Sequence, residues 1–545
     1  MTDRPQTPPD ADASDVEAPS KAPPVIGVPA PKQSPANQTK PFRKTGILGY
    51  LFLIIAVAVA FGSLLRSDLG WTQFDAVPRS AYTEMSSWTD AWKPDSLKAN
   101  DPISITSYFL EEQIPMPLHI TQRVINLSLH LIAAFLLLKI INRLQFPAAL
   151  GATLVFALHP ACVQAIFWPG YRSELVGLIL ILSALYFGSG TVSRRDVILF
   201  TVIGLISAIV HPAGLCLPLI LAGMILFRND YISLESFNPI LPLLFACLFI
   251  AMWIEPATPD FPEGMEMSQR MSLIGQTMYF YIRQALMPIE LDLFYPISQT
   301  AMQRQSGAMG LLPFLLFLPF YGLFLFNIKQ RWSRTLIFGL TSFLLLCVYG
   351  LAQSGRFING SLAHEDHALY VALPILVPLI VVGISAASQY GGRSVVILWR
   401  ICLGIITFGL FSLTTAYTYQ ISDPIAMWRH MSEVWPNSWQ AKAAYVESIK
   451  RADSNELSID DQIVILYSIL EENPNLIQQR IELARLYKDA GQFSNALREY
   501  RRILRESEND REFLTEAADF FDSMNLSWEA NNVRQRLRAL PEETQ

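Results

Sequence analysis

The stretch Ala152–Tyr186 joins two apolar runs through a short connection holding His159, Pro160, Cys162, Gln164, Trp168, Arg172 and Glu174. An imidazole, an amide, a guanidinium and a carboxylate can donate, accept or carry protons and can bind ions. At the end of a membrane helix such groups persist only when water or a partner satisfies them. An ordinary helix hairpin meets that condition, with Trp168 in the interfacial aromatic belt and Arg172 paired to Glu174. A built polar site meets it equally. The loop 356–367 poses the same question, because Arg356, His364, Glu365, Asp366 and His367 crowd beside an apolar run. That spacing suits a phosphate or cation clamp, or a hydrated cap over a site. Asn126 and His130 are four apart and share one helical face, the placement of groups that hydrogen-bond a neighbouring helix. His119 and His211 read as interfacial.

The elements that must position these groups are membrane helices. Of 545 residues, 51% are hydrophobic and 16% are charged, too apolar a composition for a soluble protein of this size. A net charge of −6 gives no reason to expect nucleic acid as a partner. The five cysteines form no CxxC pair, which speaks against a zinc site or a disulfide framework. Residues 1–44 hold the Pro-rich segment, with ten of the 35 prolines before residue 42, and read as a disordered cytoplasmic tail. The apolar run Ile47–Leu65 follows Lys40, Arg43 and Lys44 and reads as an uncleaved anchor, a cleavable leader of this length being unusual.

Ten further spans are expected at about 124–141, 147–167, 174–190, 196–211, 213–227, 238–254, 309–327, 336–352, 370–387 and 396–416. Lys139, Arg143, Arg194, Arg195 and Arg228 then share one side with the N-terminus, as the positive-inside bias requires. The loop 66–120 carries eight acids and four basic residues and falls on the other side. The segment 269–288 is amphipathic and is expected in the outer interface. Eleven spans place the C-terminus outside, which in a bacterium is the periplasm. Residues 45–420 are thus expected to form a transmembrane domain in the inner membrane.

From 421 to 545 the composition turns charged and helical. Residues 477–510 fit a 34-residue helix-turn-helix repeat, with Leu483, Ala484, Tyr487, Gly491, Ala496 and Tyr500 at packing positions. Residues 511–544 follow the register more weakly, and an earlier unit lies at about 437–472. The fold class is therefore all-α: a polytopic membrane protein with a C-terminal tetratricopeptide solenoid, here expected in the periplasm. Its concave surface would present a protein partner or acceptor.

Four stretches together resemble the GT-C class of membrane glycosyltransferases with C-terminal tetratricopeptide repeats, whose animal members are protein O-mannosyltransferases. They are RVINLSLHLIAAFLLLKI (123–140), the hairpin Ala152–Tyr186, QTMYFYIRQALMPIELDLFYP (276–296) and AHEDHALYVALP (363–374). The resemblance implies transfer of a sugar from a polyprenyl-phosphate donor on the non-cytoplasmic face, with a divalent cation in some sites. It places a catalytic acid shortly after the first span, where Asp75 stands as general base for the acceptor hydroxyl. It places His159, Gln164, Arg172, Glu174, Arg356, His364, Glu365, Asp366 and His367 around the donor phosphate. The sequence departs from the pattern at Arg123 and His367, and at Ala76, Cys162 and Gln164, where the relatives commonly carry an acid, His and Glu. Gln cannot act as a base at neutral pH. Those departures support a second expectation: a catalytically degenerate scaffold or assembly subunit of a membrane complex, acting through its repeats.

Overall fold

The computed structural model describes residues 45–66, 85–93, 102–189, 193–228, 234–253, 266–289, 291–292, 295–296, 310, 312–315, 317–352, 357–358, 361–364, 366–452, 456–506 and 510–540. The chain is an all-α polytopic membrane protein, and each of the eleven expected apolar runs is helical. They are α1 (Ile47–Phe61), α3 (Leu118–Arg143), the pair α4 (Ala149–Ala157) and α5 (Val163–Phe167), α6 (Arg172–Gly188), α7 (Arg194–Val210), α8 (Leu217–Arg228), α9 (Leu241–Trp253), the pair α11 (Leu312–Leu315) and α12 (Phe317–Phe326), α13 (Arg331–Ala352), α14 (Leu373–Ser388) and α15 (Gly392–Ile421). Among the described residues, six stretches are long and apolar enough to cross a membrane: Ile47–Arg66, Leu118–Arg143, Pro169–Gly188, Glu235–Met252, Arg331–Leu351 and Leu373–Ile421. The α4–α5 pair adds a seventh, bent by 55°.

At 1.5 Å per residue the stretch Leu373–Ile421 would reach about 70 Å if straight, more than twice a hydrocarbon core. Gly392, at φ +82°, divides it into α14 and α15, which pack on each other. Only glycine enters that backbone region freely.

The loop 66–120 contains more order than its composition suggests. Within it, α2 (Pro102–Glu111) lies against α3 and α6, with Ile105 and Tyr108 buried. The amphipathic segment forms α10 (Met267–Leu286), which buries one face including Leu273, Met278, Tyr281 and Ala285. Three short strands, β1 (Tyr295–Pro296), β2 (Phe357–Ile358) and β3 (Ser361–His364), pair antiparallel in the order β1-β3-β2, with Tyr295 opposite His364.

Among the described residues, seven helices follow the last membrane helix: α16 (Pro424–Val434), α17 (Trp439–Arg451), α18 (Ile459–Glu472), α19 (Ile477–Asp489), α20 (Phe493–Arg505), α21 (Arg511–Ser523) and α22 (Ser527–Ala539). Neighbours pack as antiparallel pairs, α19 with α20 and α21 with α22. Among the described residues two large hydrophobic cores result, besides a small cluster of Ala91, Ile105 and Tyr108. One runs from Leu53 to Ile449 through the membrane helices, and the other from Trp439 to Val533. α17 belongs to both, giving Ala441, Ala444 and Ile449 to the first and Trp439 and Val446 to the second.

Candidate functional site

The hairpin corner is built on a histidine cap. His159 has extended backbone and accepts from the Ala161 N–H at Nδ1 (3.2 Å), while Pro160 starts the next turn. Proline suits that position because its missing N–H would have no helical partner. Occupied at Nδ1, the ring presents Nε2 to the Ala285 carbonyl of α10 at 3.3 Å. His211 and Pro212 repeat the device. His211 Nδ1 accepts from the Ala213 N–H at 3.2 Å, and Nε2 reaches Glu174 Oε2 at 2.8 Å. His211 is 1% exposed, so the interfacial position expected for it gives way to a core one. Gly177 allows this approach, since a Cβ there would stand 2.6 Å from the His211 Cβ.

Glu174 is the hub of this corner. It lies in the first turn of α6, where the positive end of the helix favours a carboxylate. Its second oxygen is 4.0 Å from His367 Nε2. The His367 ring stacks face to face on Tyr171, with centroids 3.8 Å apart and planes within 5°. The His367 N–H donates to Gln164 Oε1 at 2.7 Å. Gln164 thereby fixes the loop ahead of α14 to the hairpin.

Arg172 does not pair with Glu174. Residues two apart on a helix project about 200° apart, so they face different neighbours. Arg172 turns to α2 and α3: it pairs with Glu111, donates to Ser107 Oγ (2.9 Å) and Asn126 Oδ1 (2.9 Å), and reaches the Gln122 carbonyl (3.4 Å). Its guanidinium also lies 4.5 Å from the Tyr108 ring centroid. A charge 1% exposed needs such a complete set of partners. Asn126 also donates to the Ile166 carbonyl (3.1 Å), and His130 joins the Tyr370 hydroxyl and the Ala157 carbonyl (3.0 Å each).

Asp366 occupies the other side of the cluster. Tyr295 donates its hydroxyl to Asp366 Oδ2 (2.9 Å), and Gln284 donates to Oδ1 (3.2 Å). Burial pushes the Asp366 carboxyl up to about 7, although these two hydrogen bonds oppose the shift. Tyr295 also accepts from the Gln284 amide (2.7 Å) and the Asp292 N–H (3.1 Å). Asp292 Oδ2 accepts from the Trp435 indole at 2.8 Å, and Oδ1 is 3.7 Å from His430 Nε2. The network thus passes from the loop before α14 to α16 and its end.

Of the residues singled out in the sequence, His159, Gln164, Glu174, Asp366 and His367 gather in this region, and Arg172 adjoins it through Asn126. Asp75, Arg356 and Glu365 lie outside the described residues. His364 ends β3, its backbone paired with Tyr295. Cys162 is buried with Sγ 3.5 Å from the Phe156 carbonyl. Glu111, His211, Asp292 and Tyr295 belong to the networks but carried no site assignment. The one sequence signal was the second His-Pro pair. Among the described residues, no three His, Cys, Asp or Glu side chains gather closely enough to hold a metal ion. Glu174 Oε2 and His211 Nδ1 already have protein partners, so these residues do not fit a divalent cation.

No protein-family profile and no curated protein sequence matches the chain. A cryo-EM structure of the arabinofuranosyltransferase AftD from Mycobacteria aligns over 72% of this chain and 29% of that one, at 14% identity and a TM-score of 0.36. The chain therefore spans less than a third of the length of that enzyme. Likeness at this level transfers no function.

Proposed function

We propose that the chain is a GT-C-like membrane glycosyltransferase using a polyprenyl-phosphate sugar donor on the periplasmic face of a bacterial inner membrane. One observation carries this reading: four stretches far apart in sequence meet through their polar side chains. Asn126 binds the Ile166 carbonyl, His159 the Ala285 carbonyl, Gln164 the His367 N–H, and both Gln284 and Tyr295 bind Asp366. These are the stretches that resemble the glycosyltransferases. Burial among membrane helices makes polar groups pair in any such protein, so what supports the reading is that these pairs fall between the four resembling stretches.

In the proposed reaction an acceptor hydroxyl oxygen attacks the anomeric carbon. The bond from that carbon to the lipid-phosphate oxygen breaks, and the lipid phosphate leaves with the electron pair. Asp75 takes the hydroxyl proton. Because Arg172 is held by Glu111, donor-phosphate contacts are assigned to His367 and to the loop that in sequence carries Arg356, His364 and Glu365. Glu174, Gln164 and Asp366 position that loop. Any divalent cation needs ligands beyond the cluster described above. The domains proposed are a tail at 1–44, the membrane unit at 45–420 with its external loop 66–120, and a periplasmic tetratricopeptide unit at 421–545 that presents the acceptor or a protein partner.

The test is sugar transfer from a radiolabelled polyprenyl-phosphate sugar to cell-envelope acceptors by full-length protein in proteoliposomes. Transfer by the parent and its loss in Asp75→Asn support the reading. Transfer unchanged in Asp75→Asn sinks the assigned base.

The second reading is the catalytically degenerate scaffold. The full engagement of Arg172 by Glu111, Ser107 and Asn126 favours it, since that cation is already neutralised. No transfer by the parent, with a stable complex co-purifying through residues 423–545, would decide for the scaffold.

A further inference from the structure

The loop ahead of α14 is held from two sides. The hairpin holds it through Gln164, which accepts from the His367 N–H at 2.7 Å. The second hold comes from the C-terminal helices. Tyr295 grips the loop twice: its backbone pairs with His364 between β1 and β3, and its hydroxyl donates to Asp366 Oδ2 at 2.9 Å. That hydroxyl accepts in turn from the Asp292 N–H at 3.1 Å. The Asp292 carboxylate accepts from the Trp435 indole at 2.8 Å and lies 3.7 Å from His430 Nε2. His430 is on α16, and Trp435 is its C-cap. Asp292 is 5% exposed and Asp366 1%, so water does not readily take over these contacts.

α16 is itself fixed on both sides. Met427, Trp428 and Met431 are buried in the core of the membrane helices. α17 follows across residues 436–438 and enters both large cores. A movement of the later helices that carries α17 must therefore disturb Ala441, Ala444 and Ile449, which pack with α16 in the first core. Close-packed interiors pass such displacements on instead of absorbing them.

We infer that Asp292 couples the C-terminal helices to the Asp366–His367 turn. Through Trp435 it makes the order of that turn depend on α16 and on the helices packed behind it. Trp435, Asp292 and Tyr295 are positioning residues that act through Asp366 and His367. The inference rests on the function proposed above only in giving His367 a donor contact; the coupling itself applies equally to a scaffold.

The test is hydrogen exchange of residues 366–372 in the full-length protein in lipid nanodiscs. In this turn the N–H groups of Leu369, Tyr370 and Ala372 donate to the carbonyls of Asp366, His367 and Leu369 at 3.0 Å each, so their protection reports whether the turn is formed. Trp435→Phe keeps an aromatic ring and removes the donor. It is expected to raise exchange in 366–372 about fivefold and to leave 477–540 as in the parent. Asp292→Leu removes the acceptor from the other side and is expected to do the same. Asp292→Asn keeps an oxygen for the indole and is expected to stay within about twofold of the parent. Should Trp435→Phe fail to fold, the contrast between the two Asp292 variants decides. Parent-like exchange in the turn of Trp435→Phe, a rise shared equally by 477–540, or equal exchange in Asp292→Leu and Asp292→Asn would each overturn the coupling. Sugar transfer is not read here, so the coupling and the glycosyltransferase reading can fail separately.

Discussion

The backbone N–H of His367 donates to Gln164 Oε1 at 2.7 Å, joining two segments 203 residues apart. Both groups are buried, so the bond has no water to replace it. Gln164→Leu leaves the N–H without this acceptor and is expected to destabilise the protein by about 1–3 kcal/mol. Gln164→Glu keeps an acceptor but adds a charge to a pocket that holds Glu174 and Asp366. It too is expected to lower the melting temperature. Thermal denaturation in detergent measures both. A Gln164→Leu protein as stable as the parent would show that the hairpin does not hold this loop.

Arg172 and Glu111 are 1% and 2% exposed and face each other across 61 residues of sequence. Removing one partner leaves a buried charge uncompensated. Glu111→Ala is expected to cost about 3–5 kcal/mol. Arg172→Lys is expected to fall short of the parent as well, since one ammonium cannot reach Glu111, Ser107 and Asn126 in the geometry of the guanidinium. The double variant Glu111→Gln, Arg172→Gln restores neutrality and is expected to recover part of the loss. Melting temperatures of the parent, Glu111→Gln, Arg172→Gln and the double variant form a double-mutant cycle, and purely additive losses would deny the coupling.

The helices were legible because the apolar runs are flanked by charge or proline, signals that are local in the chain, although among the described residues only six stretches, or seven with the bent pair, reach membrane-spanning length. The position of α15 after Gly392 and the bend between α4 and α5 follow from local breakers too. Side-chain partnerships were not legible in the same way. Arg172 and Glu174 are close in sequence, and proximity suggested a pair, yet helical geometry sends them to opposite neighbours. Glu111 looked like one of eight loop acids because nothing local marks α2 as packed against α6. His211 looked interfacial because a His-Pro at the end of an apolar run resembles a corner. The identity of its partner, 37 residues away, depends on how α6 and α7 pack. Residues whose role is local were read well, and those whose role is set by packing were not.

Asp366 gives the fold a pH dependence whose sign is fixed by burial. Its carboxyl is pushed from the ordinary 3.8 up to about 7, so the folded protein holds this proton more tightly than the unfolded chain. Stability from this group is fully present below about pH 4. It falls as the pH rises and is lost by about pH 7, a change of up to about 4 kcal/mol. Asp366→Asn keeps a carbonyl to accept from Tyr295 or Gln284 and cannot ionise. The variant is expected to lose this slope and to be more stable than the parent at pH 7.5. Chemical denaturation between pH 4.5 and 7.5 compares the two slopes, and equal slopes would assign the dependence to another group.

Gly491 and Asn525 end α19 and α21 with left-handed backbone, at φ +71° and +59°, 34 residues apart. The capping hydrogen bonds are the same at both sites. The N–H of Gln492 donates to Tyr487 O and that of Leu526 to Phe521 O, each at 2.8 Å. This is the bond that closes a helix by satisfying a carbonyl of its last turn. No atom lies within 4 Å of a Cβ built on Gly491, so a side chain there pays only in backbone strain. Gly491→Ala is expected to destabilise the C-terminal helices by about 1 kcal/mol, and Gly491→Asn by less, since asparagine tolerates this region. Asn525→Gly is expected to be neutral or stabilising, and Asn525→Val to be worse than either, a β-branched residue being poorly suited to positive φ. Hydrogen exchange of residues 477–540 in the full-length protein reads these effects locally. If Gly491→Ala and Asn525→Val left protection across both helix pairs unchanged, the two left-handed caps would not be what sets the register of the array.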